Sequence, residues 1–280
     1  MEENRRKINY IKEKRKKIDR CNICGEVKEL TWDHVPPKTV TEAKCVNVNR
    51  LFEGIPEDNN CAAVYKKGIK YRSVCAKCNN VLLGANDSVY SDFMGEINNS
   101  IMEEQTKELA IHVNISSLCK AVLGHMLDAK NSYDSNCIID ISVRDYLMGY
   151  KSKPDCKLYY WIYPYDTIVV SRDVSIVNIN NAIVPTGTIS VMACSPVAFL
   201  MTDSKGYMPG LTDLVSLLTE DESESIIINV DCGTAFQPNT NILRHYLWPC
   251  NIGDDRYSVG AVLVGDYGFE DSRFATRRSH

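Results

Sequence analysis

Two Cys-x-x-Cys pairs carry the most specific chemistry of this sequence. Cys21-Asn-Ile-Cys24 comes first and Cys75-Ala-Lys-Cys78 follows well downstream. Four thiolates in two close pairs can saturate a tetrahedral zinc ion, which leaves no position open for a reaction. Other groups nearby are therefore left for an open site. Asp33 and His34 lie between the pairs, in the run Trp32-Asp-His-Val-Pro-Pro-Lys38, and Asn79 directly follows Cys78. A carboxylate and an amide oxygen suit a hard divalent cation such as Mg²⁺ or Mn²⁺. A neutral imidazole is a competent base near pH 7. Asp33 and His34 are neighbours, so in an extended strand they would face opposite ways. Aiming both at one site requires a local distortion, for which Pro36-Pro37 is the candidate.

Such a set fits phosphodiester hydrolysis. A divalent cation offsets the charge that develops on the phosphate and leaving oxygen, while an imidazole takes a proton from water. The two Cys pairs, the Asp-His-x-Pro-Pro-Lys core and the Asn after the last Cys resemble the HNH endonuclease family, the ββα-metal nucleases. The resemblance is to the zinc-containing branch and covers roughly residues 21–98. It implies that Cys21, Cys24, Cys75 and Cys78 hold a structural zinc and that His34 is the general base. It also implies that Asp33 and Asn79 hold the catalytic Mg²⁺ or Mn²⁺, and that Lys38 contacts phosphate. On family grounds the substrate is DNA rather than RNA. The family's middle Asn, which orients the base, has no counterpart in Ile69-Lys-Tyr-Arg-Ser73. Asn59, Asn60 or a backbone carbonyl could replace it, Asn80 could replace Asn79, and Asp87 could add a carboxylate.

The elements that must position these groups read as follows. Residues 4–19 have few breakers, and Ile8, Ile11 and Ile18 can share one helical face under a Lys/Arg surface. Arg15, Lys16 and Lys17 would track a nucleic-acid backbone, with binding that falls steeply as salt rises. A knuckle at Cys21–Gly25 leads to an extended Glu29–His34, then an irregular 39–73 with turn formers at Gly54–Asn60. A helix starts at Asn79, is interrupted near Gly84, and resumes over Asp87–Asn98. Residues 103–130 read as one long helix containing His112 and His125, and a lone helical histidine is usually structural. Strand-type composition follows at Ile138–Ser142, Lys157–Tyr163, Thr167–Val170, Ser175–Ile179, Thr188–Ala193, Val197–Thr202, Ile226–Val230 and Gly260–Val264. The dense aromatics of Tyr159–Tyr165 read as sheet core.

The expected fold is α+β: a zinc-stabilised ββα-metal (HNH) module in residues 1–100, then an α+β domain with a largely antiparallel sheet in 101–280. Net charge is −4. It is divided unevenly, positive in the first part and negative in the second, which puts the polyanion contact on the first. The second part then suits regulation, a protein partner or self-association. By family analogy the whole suits a restriction or anti-phage effector. The alternatives are a non-catalytic zinc-dependent nucleic-acid-binding regulator and a nuclease subunit active only in a larger complex. Twelve cysteines could suggest disulfides, but the paired spacing in a chain of this size reads as metal ligation. The absence of a long apolar run or an N-terminal signal leads to the expectation of a cytoplasmic protein with no membrane contact.

Overall fold

Proline cannot donate to a β-ladder, so Pro36-Pro37 ends the strand that carries Asp33 and His34. The computed structural model describes residues 15–40, 45–50, 63–66, 70–102, 108–130, 132–163, 167–176, 187–206, 210–232 and 259–263. A short strand β1 (Ile18–Arg20) pairs with β2 (Val27–His34). Then β3 (Cys45–Arg50) and β4 (Ala63–Lys66) leave for another sheet, and β5 (Lys70–Cys75) returns to the free side of β2. Both partners of β2 run antiparallel to it. A wide helical turn, Cys78–Leu83, follows β5 and leads to α1 (Asp87–Met102). The apolar residues Tyr90, Phe93, Met94, Ile97 and Ile101 recur at helical spacing and are buried.

Strand β6 (Glu108–Asn114) runs directly into α2 (Ile115–Asp128). The Asn114 side chain caps α2 by accepting from the Ser117 N–H at 2.7 Å. Helix α2 is buried almost all round and packs against α1, α3 (Ile138–Leu147) and β5. The remaining strands are β7 (Cys156–Ile162), β8 (Thr167–Ile176), β9 (Gly187–Cys194), β10 (Val197–Asp203), β11 (Ser225–Asp231) and β12 (Val259–Leu263). Seven strands form one antiparallel sheet in the order β4-β3-β12-β8-β9-β10-β7. Strands β11 and β6 form a separate antiparallel pair. Phe93 of α1 meets Tyr160 of β7 edge-on at 6.0 Å, and Tyr90 meets Phe199 of β10 at 5.6 Å. Tyr159 and Tyr160 of β7 are thus core, as expected, while Trp161 is partly buried.

The fold is α+β with antiparallel sheets, as expected, but several elements differ. Within 39–73, read as irregular, the described residues supply β3, β4 and the start of β5. The helix expected over 103–130 is two elements, because β6 pairs with β11 through Ile111↔Ile228 and Val113↔Ile226. Ile138–Ser142 is helical rather than a strand. Ile18 belongs to β1 and not to an N-terminal helix. Residues 4–14 and 51–62, which include the Gly54–Asn60 turn cluster, lie outside the described residues. Met102 ends α1 near the expected boundary at residue 100, but buried side chains from both sides of that boundary form one continuous cluster. Among the described residues no helix is long and apolar enough to cross a membrane.

Gly124 of α2 lies against Leu83 of the Cys78–Leu83 turn. A Cβ there would collide with Cδ2 of Leu83, which is fully buried. Gly124→Ala should therefore destabilise the chain by about 1–3 kcal/mol, the usual cost of overpacking. An unchanged midpoint in urea denaturation would show that Leu83 has room to move.

Candidate metal centres

The first knuckle needs a tight reversal after Cys24, and Gly25 provides it with φ of +71°, a region that favours glycine. The Cys21 N–H donates to the Glu26 carbonyl and the Gly25 N–H to the Cys21 carbonyl, both at 2.9 Å. The second knuckle lies where β5 passes into the helical turn. Together they bring Cys21, Cys24, Cys75 and Cys78 so close that all four sulfurs lie within 4.8 Å of one another. Cys24 and Cys75 Sγ are 3.9 Å apart. A tetrahedral zinc with Zn–S bonds near 2.3 Å places its sulfurs about 3.8 Å apart. The residues therefore fit a zinc ion, and the spacing is far beyond a disulfide bond of about 2.05 Å. A hydrogen bond with Cys78 holds the Cys21 thiol down at about 5, and the Cys75 N–H, 3.3 Å from Cys21 Sγ, helps. Burial pushes Cys24 up to about 11, and the Cys21 hydrogen bond pushes Cys78 up. Four thiols this close cannot all ionise without a cation between them.

The first knuckle also grips α2. Asn22, which is buried, donates from Nδ2 to the carbonyls of Leu127 at 2.9 Å and Lys130 at 2.6 Å. Its Oδ1 accepts from Arg15 Nη1 at 2.7 Å, and its backbone carbonyl accepts from Arg144 Nε at 2.7 Å. From β5, Ser73 Oγ donates to the Asp128 backbone carbonyl at 2.6 Å and also meets Asp128 Oδ1. The end of α2 is thereby fixed against the sheet that carries Asp33.

Asp33 faces that helix. Its Oδ1 accepts from the His34 backbone N–H at 2.7 Å. Its Oδ2 lies 3.6 Å from Nδ1 of His125, while His125 Nε2 is 2.8 Å from Asp87 Oδ1. Asp33, His125 and Asp128 each offer one atom to a group whose members lie within 4.8 Å of one another. Burial pushes the Asp33 carboxyl up and the charge of Asp87 adds to this, while His125, His34 and the His34 N–H pull it down. Burial, and then the charge of Asp33, push Asp128 well above the usual carboxylate range, with the Ser73 hydrogen bond and Arg15 opposing. The β2–β5 register shifts by one residue between Thr31 and Trp32, with Ser73 of β5 as the extra residue.

Compared with protein-family models, with curated proteins and with solved structures, the chain matches none.

The other expected site residues are distributed as follows. Asn79 Nδ2 donates to Thr31 Oγ1 at 3.2 Å and to the Trp32 carbonyl at 3.4 Å, which ties the helical turn to β2 beside Asp33 and His34. Lys38 and Lys16 are exposed, and Lys17 pairs with Glu29 at 2.8 Å on the surface. Arg15 is not a free surface cation. Its side chain is 8% exposed and its guanidinium is spent on Asn22, Asp19 and the carbonyls of Ser73 and Arg20. Asn59 and Asn60 lie outside the described residues. His125 and Asp128 were not foreseen as site residues. Their signal in the sequence is an i, i+3 pair on one helical face inside an otherwise apolar stretch. A third group, Cys137, Asp140 and Asp173, also has metal-ligand proximity. There the carboxylates are already neutralised by Lys130, 2.7 Å from each, and by Arg172, 2.8 Å from Asp140.

Proposed function

We propose that this chain is a metal-dependent endonuclease of HNH type that hydrolyses the phosphodiester bonds of DNA. The observation that carries the reading is the four-cysteine cluster. It lies where the β2–β5 pair meets the Cys78–Leu83 turn, and Asn79 of that turn donates to Thr31 on the strand that carries Asp33 and His34, which supports the reading. Bound Mg²⁺ or Mn²⁺ would supply charge to the phosphate and leaving oxygen. Asp33 fits as a holder of the ion, and Asn79 donates to the carbonyl of the neighbouring Trp32. His34 takes the proton from the attacking water. Lys38, Lys16 and Lys17 are on the surface and suit backbone phosphates. Residues 101–280 would serve regulation or partner contact, as in a restriction or anti-phage effector. The inward turn of the Asp33 carboxylate toward His125 favours a second reading: a zinc-dependent nucleic-acid-binding regulator, or a nuclease subunit completed only in a larger complex.

A plasmid-cleavage assay with Mg²⁺ or Mn²⁺ tests this. Wild type should nick or cut, and His34→Ala should lower the rate about a hundredfold or more, as loss of a general base does. Equal binding with no cleavage by either protein would sink the free-enzyme reading.

A further inference from the structure

The group at the end of α2 poses a problem of charge. His125 has one ring nitrogen at 2.8 Å from Asp87, a distance at which Nε2–H donates to the carboxylate. In the tautomer that makes this bond, Nδ1 is the nitrogen that can ligate a metal. Nδ1 faces Asp33 Oδ2 at 3.6 Å, which is too long for a hydrogen bond. Asp128 Oδ2 lies in the same buried place. Among the described residues, Asp33 Oδ2, His125 Nδ1 and Asp128 Oδ2 have no hydrogen-bond partner, and both His125 and Asp128 are 0% exposed. One ligand atom from each of the three residues lies within 4.8 Å of the others. Among the described residues no lysine or arginine makes a salt bridge with Asp33 or Asp128, in contrast to the Asp140 cluster. Buried carboxylates so placed are relieved by a proton or by a metal cation between them, and the imidazole beside them supplies a metal ligand.

We propose that Asp33, His125 and Asp128 bind a divalent transition-metal cation, with Asp87 as the positioning residue for His125. One imidazole nitrogen and two carboxylate oxygens form a mixed donor set that suits Mn²⁺, Fe²⁺ or Zn²⁺ better than Mg²⁺. Ligand atoms at about 2.1 Å from a tetrahedral ion are about 3.4 Å apart. The 3.6 Å between Asp33 and His125 and the 4.8 Å limit for the trio allow such an ion with little movement. Asp33 and Asp87 keep 16% and 25% of their side chains exposed, so the cation enters from their side. Two ligands come from α2, which lies outside the motif, and only Asp33 is shared with the nuclease reading. The site stands whether or not the chain cleaves DNA.

Mn²⁺ and the full chain, zinc-replete and cleared of loosely held metal, provide the test. With no DNA present, wild type should take up about one Mn²⁺ per chain, as one mixed N/O site requires. Pulsed electron paramagnetic resonance should show a nitrogen coupled to it. His125→Gln should abolish the nitrogen signal, and Asp128→Asn should abolish uptake, while the cysteine zinc stays at the wild-type level. Asp87→Asn should weaken Mn²⁺ binding about 10–100-fold, with partial recovery in Asp87→Glu. No Mn²⁺ uptake by wild type, uptake without nitrogen coupling, or unchanged uptake in folded Asp128→Asn would each overturn the proposal. Uptake without any plasmid cleavage would leave it standing and count against the nuclease reading alone.

Discussion

Replacing both Cys75 and Cys78 by serine should abolish tightly bound zinc and unfold the sheet that carries Asp33. Metal analysis should find about one zinc per wild-type chain and none in the double variant. The expected cost is large because the ion holds together parts with little apolar surface of their own. Strand β1 has three residues, Ile18 and Val27 are more than half exposed, and β2 buries Leu30 as its one fully enclosed hydrophobe. Structural zinc contributes on the order of 10 kcal/mol to folding in small modules, comparable with the whole stability of a domain at about 5–15 kcal/mol. The damage should spread to α2, because Asn22 and Ser73 are among the groups that hold its last turn. A strong chelator should reproduce the effect on wild type, seen as a fall in thermal midpoint together with zinc release. Zinc content unchanged in the double variant would remove the four-cysteine assignment.

How much of this was legible in the sequence depended on the range of the deciding interaction. The cysteine pairs were readable because thiolate spacing within each knuckle is local and the zinc demands four ligands. Helix α1 was readable because its apolar residues repeat at helical spacing and face the core. Strand β6 was not, since Leu109 and Val113 are also four apart and imitate a helix. What makes the segment a strand is β11, more than a hundred residues away. In α3 the pattern is inverted: Ile138 is 76% exposed while Asp140 is 0% exposed. A binary hydrophobic pattern cannot find a helix whose buried face is ionic. His125 and Asp128 were hidden for a similar reason. Their site forms only when α2 docks on β2, and a histidine within an apolar helix gives no sign of the carboxylates it will meet.

That ionic face of α3 leads to the second large effect: Asp140→Asn should destabilise the chain by about 3–5 kcal/mol, the cost of breaking a buried ion pair by removing one partner. Asp140 Oδ1 is 2.8 Å from Arg172 and its Oδ2 is 2.7 Å from Lys130, with Arg144 at 3.7 Å. Arg172 is itself 1% exposed and ties α2 to β8 by donating to the Met126 carbonyl at 2.7 Å. Without the Asp140 charge, Arg172 would keep only Asp173 at 3.4 Å, and its buried guanidinium would be poorly compensated. The same group gives a pH signature. Burial pushes the Asp140 carboxyl up, but Arg172 and Lys130 outweigh it and hold the group below the ordinary aspartate range. A depressed carboxylate contributes its full stability above the unfolded-state pKa and loses it as pH falls through the lower folded value. Wild type should therefore lose this increment only in acid, and Asp140→Asn should lack it at every pH. The gap between the two proteins in guanidinium denaturation should be widest near neutrality and narrow toward pH 2–3. A gap of less than about 1 kcal/mol at neutral pH would mean that the network is solvated like a surface salt bridge.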